Sequence, residues 1–415
     1  MKDVRHEALA GPHHPRHLAG LRRARPAPEA AVVEALENHP GVIAARARIG
    51  AARAAARGLA VGSQEIVAQG IVQRRDVRGT GMVAEYDLQF TRPFRLPGKA
   101  ALDRKAGDAA VSAADNRADD ARHQTALLLA RLWWSWTGAA AEARTLAEAA
   151  DILATAVTAT RRRLALRDAS ALELDQANAA EAAARASALA ATARAAAGRA
   201  ALAANFPELP LPVSAPPLPE PAIPAEGIAR LQALVVERSH EIGASAADAA
   251  HAEALKARAA RDRIADPSIG LRGFSEQGGN ERGLGLILSM PLGGRARSAA
   301  ADQAAAMAQS AGAELAAMRT VVDAVAAEDA AFASGYLKAW EQAAAAADGA
   351  AAAATRQRKG HALGGIDLAD RLVAERLARD AAVDEVKART AALEAITRLR
   401  IDSHTLWSHQ EPETP

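Results

Sequence analysis

Residues Val83–Thr91, VAEYDLQFT, alternate without a break: Glu85, Asp87, Gln89 and Thr91 fall on one side, Ala84, Tyr86, Leu88 and Phe90 on the other. A period of two over nine residues predicts a strand with one polar and one apolar face. Its partner is expected over Glu65–Arg75, where Gln69 and Gln73 keep a looser alternation. The stretch RDVRGTG (75–81) has the glycine and charge of an exposed hairpin loop. Further along, Arg282–Met290 sets Leu284, Leu286, Leu288 and Met290 against Gly283, Gly285 and Ser289, and the loop Gln277–Glu281 joins it to Pro267–Glu276. Strands are thus expected at about 65–75, 83–91, 267–276 and 282–290.

Four strands cannot close a barrel alone. Three chains would supply twelve, an even number within the range of membrane barrels. In that arrangement Glu85, Asp87 and Gln89 face a water-filled lumen, and Tyr86, Leu88 and Phe90 face lipid. The alternative is two hairpins capping a soluble helical rod. Isolated hairpins are marginal in water, and their open edges invite aggregation.

Around these strands the chain reads as two similar halves, 28–206 and 225–401, joined by a proline-rich stretch at 207–224 (within FPELPLPVSAPPLPEPAIP, 206–224). An N-terminal extension (1–27) and a C-terminal tail (402–415) complete the layout. VVEALENHPGVIAARARI compares with LVVERSHEIGASAADA, with Glu37 against Glu237, Val42 against Ile242 and Ala44 against Ala244. RPFRLPGKA (92–100) compares with MPLGGRA (290–296). Each half then holds a very long helix, a turn and a returning helix. A helix from about Lys99 to Leu166 would span ~100 Å, and those at about 28–61 and 171–205 ~50 Å each, so two short helices end to end match the long one. The second half repeats this with 295–361 long and 225–262 plus 366–400 short. The chain is broken at His39-Pro40 before helix continues.

Composition agrees with long, closely packed helices. Half of the 415 residues are hydrophobic, yet only 3% are aromatic and much of the remainder is alanine, the strongest helix former. The 51 basic and 49 acidic side chains are mixed along the chain, which gives a solvated surface and no nucleic-acid footprint. The absence of cysteine excludes disulfides, a thiolate metal site and a cysteine nucleophile. No apolar run reaches the ~18 residues of a membrane-spanning helix, and the N-terminus as given lacks the apolar stretch of a secretory signal.

Helix, hairpin, long helix, turn and helix, twice over with a proline-rich joint, resembles the TolC-like outer membrane efflux proteins. FRLPGKAALDRKAG (94–107), ADDARHQTALLLARLWW (118–134) and FPELPLP are similar to the branch serving heavy-metal and cation pumps. The resemblance implies a mainly α fold with a small β part. Long α-helical hairpins of three chains would form a periplasmic barrel, and four strands per chain would enter a twelve-stranded β-barrel in outer-membrane lipid. It implies a homotrimer serving as a passive exit duct, partnered by a periplasmic adaptor (membrane fusion) protein and an inner-membrane RND-type pump. No cofactor and no enzymatic activity follow from it.

The resemblance also points to the two helix-to-helix turns, at about 167–170 and 360–366, as the periplasmic tip that meets the adaptor or gates the duct. In the first, Arg163 fits the family's basic position, Arg167 stands where a glycine is usual, and Asp168 follows. In the second, Gly364 and Gly365 suit a tight reversal and Asp367 can cap the next helix. Asp370 matches a position where some members carry inward acidic residues; one turn on, Val373 replaces the second acid. A solvated helix face is the other reading of Asp370.

Elsewhere nothing forms a catalytic constellation. His6, His13, His14 and His17 make the N-terminus histidine-rich, a composition that can bind metal but that a disordered extension also explains. His123, Trp133, Trp134 and Trp136 are expected to pack between helices. Glu253, Asp262 and Asp266 read as ordinary helix-end acids.

Overall fold

A computed structural model describes residues 29–407. The same order of elements occurs twice. Helices α1 (Glu29–Glu37) and α2 (Pro40–Val61) lead into strands β1 (Val67–Val77) and β2 (Gly81–Pro93), then helices α3 (Lys99–Ala165) and α4 (Ala171–Asn205). After the proline-rich stretch come α5 (Ile228–Glu237), α6 (His240–Arg261), β3 (Ser268–Glu276), β4 (Glu281–Ser289), α7 (Arg295–Ala362) and α8 (Leu368–Asp402). Among the described residues no helix is long and apolar enough to cross a membrane.

The expected first helix is two helices. Pro40 sits at the start of α2, where its missing N–H costs nothing, and the His39 ring accepts from the Gly41 amide at 3.2 Å. The second half breaks at the matching place, α5 ending at Glu237 as α1 ends at Glu37. That break corrects the single helix expected over 225–262. No proline marks it; Ser239 ends the interruption by accepting from the Ile242 amide at 3.1 Å.

Helix α3, 67 residues and ~100 Å long, is the spine of the molecule. It packs on α2 and α6 in its first part and on α4 and α8 in its second, while α7 runs along α6 and α8. Buried Leu146, Ala150, Leu153, Val157 and Thr160 recur in steps of four and three on α3, the seam of a left-handed coiled coil. Opposite them α4 presents Ala177, Ala184, Ala188 and Ala191. Alanine at these positions lets the backbones come close. Gly138 goes further, since a Cβ there would lie 2.6 Å from Thr390 of α8.

The largest core lies midway along α3. Leu129, Trp133, Trp134 and Trp136 pack there with Val32 and Leu36 of α1, Phe206, Leu209 and Leu218 around the proline-rich stretch, and Trp407. The tryptophans therefore serve packing, as their sequence suggested, and Trp134 donates its indole N–H to Thr397 at 3.0 Å.

The four strands form one antiparallel sheet in the order β1-β2-β3-β4, so β2 pairs with β3 across the two halves. The strands begin and end up to two residues from their expected limits, and the first hairpin turns over residues 78–80. Among the described residues, the outer edges of β1 and β4 have no strand partner.

Candidate functional site

The sheet has two unlike faces, and the register fixes which residues share each. Gln69 stands opposite Gln89, Gln73 opposite Glu85, and Arg272 of β3 opposite Gln89. On this polar face the side chains bond one another. Gln73 donates to Glu85 at 2.8 Å, and Arg75 lies 2.6 Å from the other Glu85 oxygen. Arg272 Nε donates to Asp87 at 2.7 Å and Gln89 donates to its second oxygen at 3.2 Å. Glu85 is only 4% exposed, so Asp87 and Gln89 line the open polar face more fully than Glu85 does. The three share one face of the sheet, and Arg75 and Gln73 cover Glu85, which the alternation alone did not indicate.

The opposite face is apolar and open. Tyr86, Leu88 and Phe90 are exposed there, in register with Ser275, Gly273 and Leu271. Leu284, Leu286 and Leu288 of β4 are 94%, 82% and 76% exposed. A row of leucines this open on a sheet face requires a cover or an apolar medium.

Where the sheet meets the helices, a charged clasp joins the two halves. Lys99, at the start of α3 and almost fully buried, places its ammonium 2.8 Å from Asp262, 2.8 Å from Asp266 and 2.8 Å from the Ile264 carbonyl. All three ammonium protons thus have acceptors. Asp103, one helical turn on, is held by Arg95 at 3.1 Å and by Arg258 at 2.7 Å. Burial works against ionising Asp262, but the bonds and charges of Arg258 and Lys99 outweigh it and hold the carboxyl below its usual range. Asp262 and Asp266, expected to be ordinary helix-end acids, are therefore partners of a buried cation 163 and 167 residues away.

At the far end of the helices the two expected turns are built alike. Arg167 has φ of 61° and Gly364 has φ of 77°, both left-handed. The arginine therefore stands in the conformation that glycine adopts most readily. The Asp168 amide bonds the Arg163 carbonyl at 2.8 Å and the Gly365 amide bonds the Gly360 carbonyl at 3.0 Å, closing each helix in the same way. Ser170 and Glu173 then form a capping box, and Asp367 caps α8 through the Asp370 amide at 2.8 Å. Arg163 Nε donates to Asp168 at 2.8 Å, its Nη2 donates to the Asp168 carbonyl at 2.9 Å, and Nη1 lies 3.4 Å from His361 of the other turn. The structure thus brings Arg163, Asp168 and the second turn together. Asp370 and Val373 lie exposed on the first turns of α8. His361, bonded to the Ile366 carbonyl at 3.0 Å, is the residue here that sequence reasoning passed over.

No protein-family model and no curated protein matches the sequence. Solved structures match closely in shape. The outer membrane protein VceC from Vibrio cholerae superposes with a TM-score of 0.74 at 18% identity, over 92% of this chain and 96% of that one. For CusC, whose structures follow folding and transmembrane channel formation, the TM-score is 0.75 at 14% identity, over 90% and 91% of the two chains. The CmeC outer membrane channel of Campylobacter jejuni gives 0.71 at 16% identity, over 92% and 86%.

This chain has the TolC-like fold. Identities this low establish the architecture and leave the assignment of roles to the chemistry of the residues. Among the described residues, no group of histidine and carboxylate side chains is spaced to hold a metal ion. His6, His13, His14 and His17 lie outside the described residues.

Proposed function

We propose that this chain is one protomer of a trimeric outer-membrane exit duct that passes substrates handed over by a pump. The observation that carries this reading is the sheet: polar on one face, apolar and open on the other, with both edges unpaired among the described residues, at one end of a ~100 Å helical stack. In a barrel of three chains, β4 of one copy meets β1 of the next. Strand directions alternate through the sheet, so that junction is antiparallel, and twelve strands close with no edge left. Strands of 9 to 13 residues suit the hydrocarbon thickness when tilted. The leucine row then faces lipid, while Glu85, Asp87 and Gln89 belong to the lumen side.

On this reading the protein sits in the outer membrane and extends into the periplasm. The helical turns form the tip, where Arg163, Arg167, Asp168, Gly364, Gly365, Asp367 and Asp370 meet an adaptor protein or close the duct. Three copies of Asp370 near one axis would attract cations and resist close approach. The partners are a periplasmic adaptor and an inner-membrane RND-type pump, and the substrates are metal cations or small toxic compounds. No catalytic step is required of the chain, because energy enters at the pump.

Reconstitution tests this. The protein extracted from outer membranes in detergent should be a trimer and should conduct ions across a planar bilayer. A monomer in the soluble fraction that never conducts would instead support a helical scaffold with capped ends.

A further inference from the structure

Midway along the helical stack lies a buried polar cluster that the duct does not require. Three imidazoles form a chain: His123 of α3 and His404 have ring centres 5.1 Å apart, and His404 and His240 of α6 are 4.6 Å apart. His123 Nε2 is 2.9 Å from Asp402, at the end of α8. Its Nδ1 is buried with no hydrogen-bond partner, although the residue is only 9% exposed. The middle ring, His404, belongs to a short segment, 403–407, that ends in the buried pair Leu406 and Trp407. Two residues of that segment, His404 and Trp407, have left-handed φ angles of 54° and 55°. Each costs of order 1 kcal/mol or more outside glycine, so packing must hold the segment in place.

We propose that the stack His123–His404–His240 is a proton-sensitive latch, which holds segment 403–407 against the middle of the duct wall and releases it on acidification. Carboxylates face the stack from three helices: Asp119 and Asp120 of α3, Glu241 of α6 and Asp402 of α8. Behind Asp402 stand Asp329 of α7 and Arg398 of α8. Arg238, just after α5, donates to the His404 carbonyl at 3.5 Å. For His123, burial opposes the charge, but the bond to Asp402 and the charges of Asp402, Glu241 and Asp120 prevail and raise its pKa. On the other two rings the carboxylates also act, Glu241 and Asp402 on His404 and Asp119, Glu241 and Asp120 on His240, but burial outweighs them. Burial, then the neighbouring imidazoles, lowers His404 from 6.5 to about 4, and burial lowers His240. His123 is therefore the ring of the three that most readily takes a proton, and burial disfavours a second charge on its neighbours. As pH falls, protons on adjoining rings would put like charges side by side, and the latch relieves this by freeing His404 to solvent. A ring that titrates at 6.5 when released and about 4 when held shifts the opening equilibrium about thirty-fold between pH 7.5 and pH 5.

Hydrogen–deuterium exchange on the full-length protein in detergent tests this. Exchange over 403–407, corrected for its intrinsic pH dependence, should rise on the order of thirty-fold from pH 7.5 to 5, with residues 129–137 of α3 unchanged. His404→Phe, or His404→Asn should the first fail to fold, should abolish the rise. His251→Phe, whose ring bonds the Ala106 carbonyl outside the cluster, should leave it intact. No rise in the wild type, or a rise that persists in the His404 variants, overturns the proposal. So does opening produced at pH 7.5 by EDTA, because a bound cation and not a proton state would then hold the segment. Conductance and trimer formation are separate measurements, so failure of the latch leaves the duct reading standing, and the reverse.

Discussion

Replacing Lys99 with methionine tests how the two halves are joined at the base of the sheet. Methionine keeps most of the volume and removes only the charge and its three donors. Asp262, Asp266 and the Ile264 carbonyl then lose a partner at 2.8 Å each. Removing one member of a buried ion pair costs about 3–5 kcal/mol, because the remaining charge is left uncompensated. Asp262 is 37% exposed and keeps Arg258, whereas Asp266 is only 17% exposed. The expected loss is therefore near the lower end, about 3 kcal/mol. A double-mutant cycle in guanidinium unfolding, combining Lys99→Met with Asp266→Asn, separates the pair from mere packing. The coupling should be at least about 1.5 kcal/mol. Exchange of the Leu96 amide, which donates to Asp266 at 3.0 Å, should rise in the single variant and fall back in the double. Additivity within about 0.5 kcal/mol would refute the reasoning and reduce Lys99 to a space-filling residue.

Other outcomes follow from single residues. Arg167→Gly should stabilise the first turn by up to about 1 kcal/mol, because it removes a left-handed arginine, and Gly364→Ala should destabilise the second by a similar amount; thermal unfolding of the two variants checks both. Gly138→Ala should cost about 1–3 kcal/mol, since its methyl would meet Thr390 at 2.6 Å, and pairing it with Thr390→Ser, which removes that methyl, should recover part of the loss. Burial and the nearby Asp402 carboxylate push Asp329 up to about 8 from an ordinary 3.8. The native state therefore binds a proton that the unfolded chain lacks between those values, and the stability this residue contributes falls as pH rises from about 4 to about 8. Asp329→Asn should flatten that slope in melting curves taken from pH 5 to 8.

What the sequence disclosed and what it withheld divide along a physical line. Alternation at 83–91, the Pro40 break and the glycine turn at 364 are local signals, written in periodicity or in backbone restriction, and each appears in the structure where its residues stand. The break at 238–239 carries no proline or glycine, so a helical pattern ran straight through it. The charged clasp and the imidazole chain are assembled from residues about 120 to 280 positions apart in sequence, and only the packing of α3 against α6 and α8 brings them together. Arg167 shows the opposite case. A departure from the expected residue type left the backbone conformation unchanged, because helix closure through Asp168 and the Ser170 cap fixes the turn.

Labelling neighbouring positions on β2 tests the central claim most directly. The chain contains no cysteine, so Leu88→Cys and Gln89→Cys each introduce a lone thiol, on opposite faces of the sheet. In outer membranes, the thiol at 89 should react with a membrane-impermeant reagent and the thiol at 88 with a probe dissolved in lipid. Equal reaction of both positions with both reagents would mean the sheet does not separate water from lipid, and would contradict the duct.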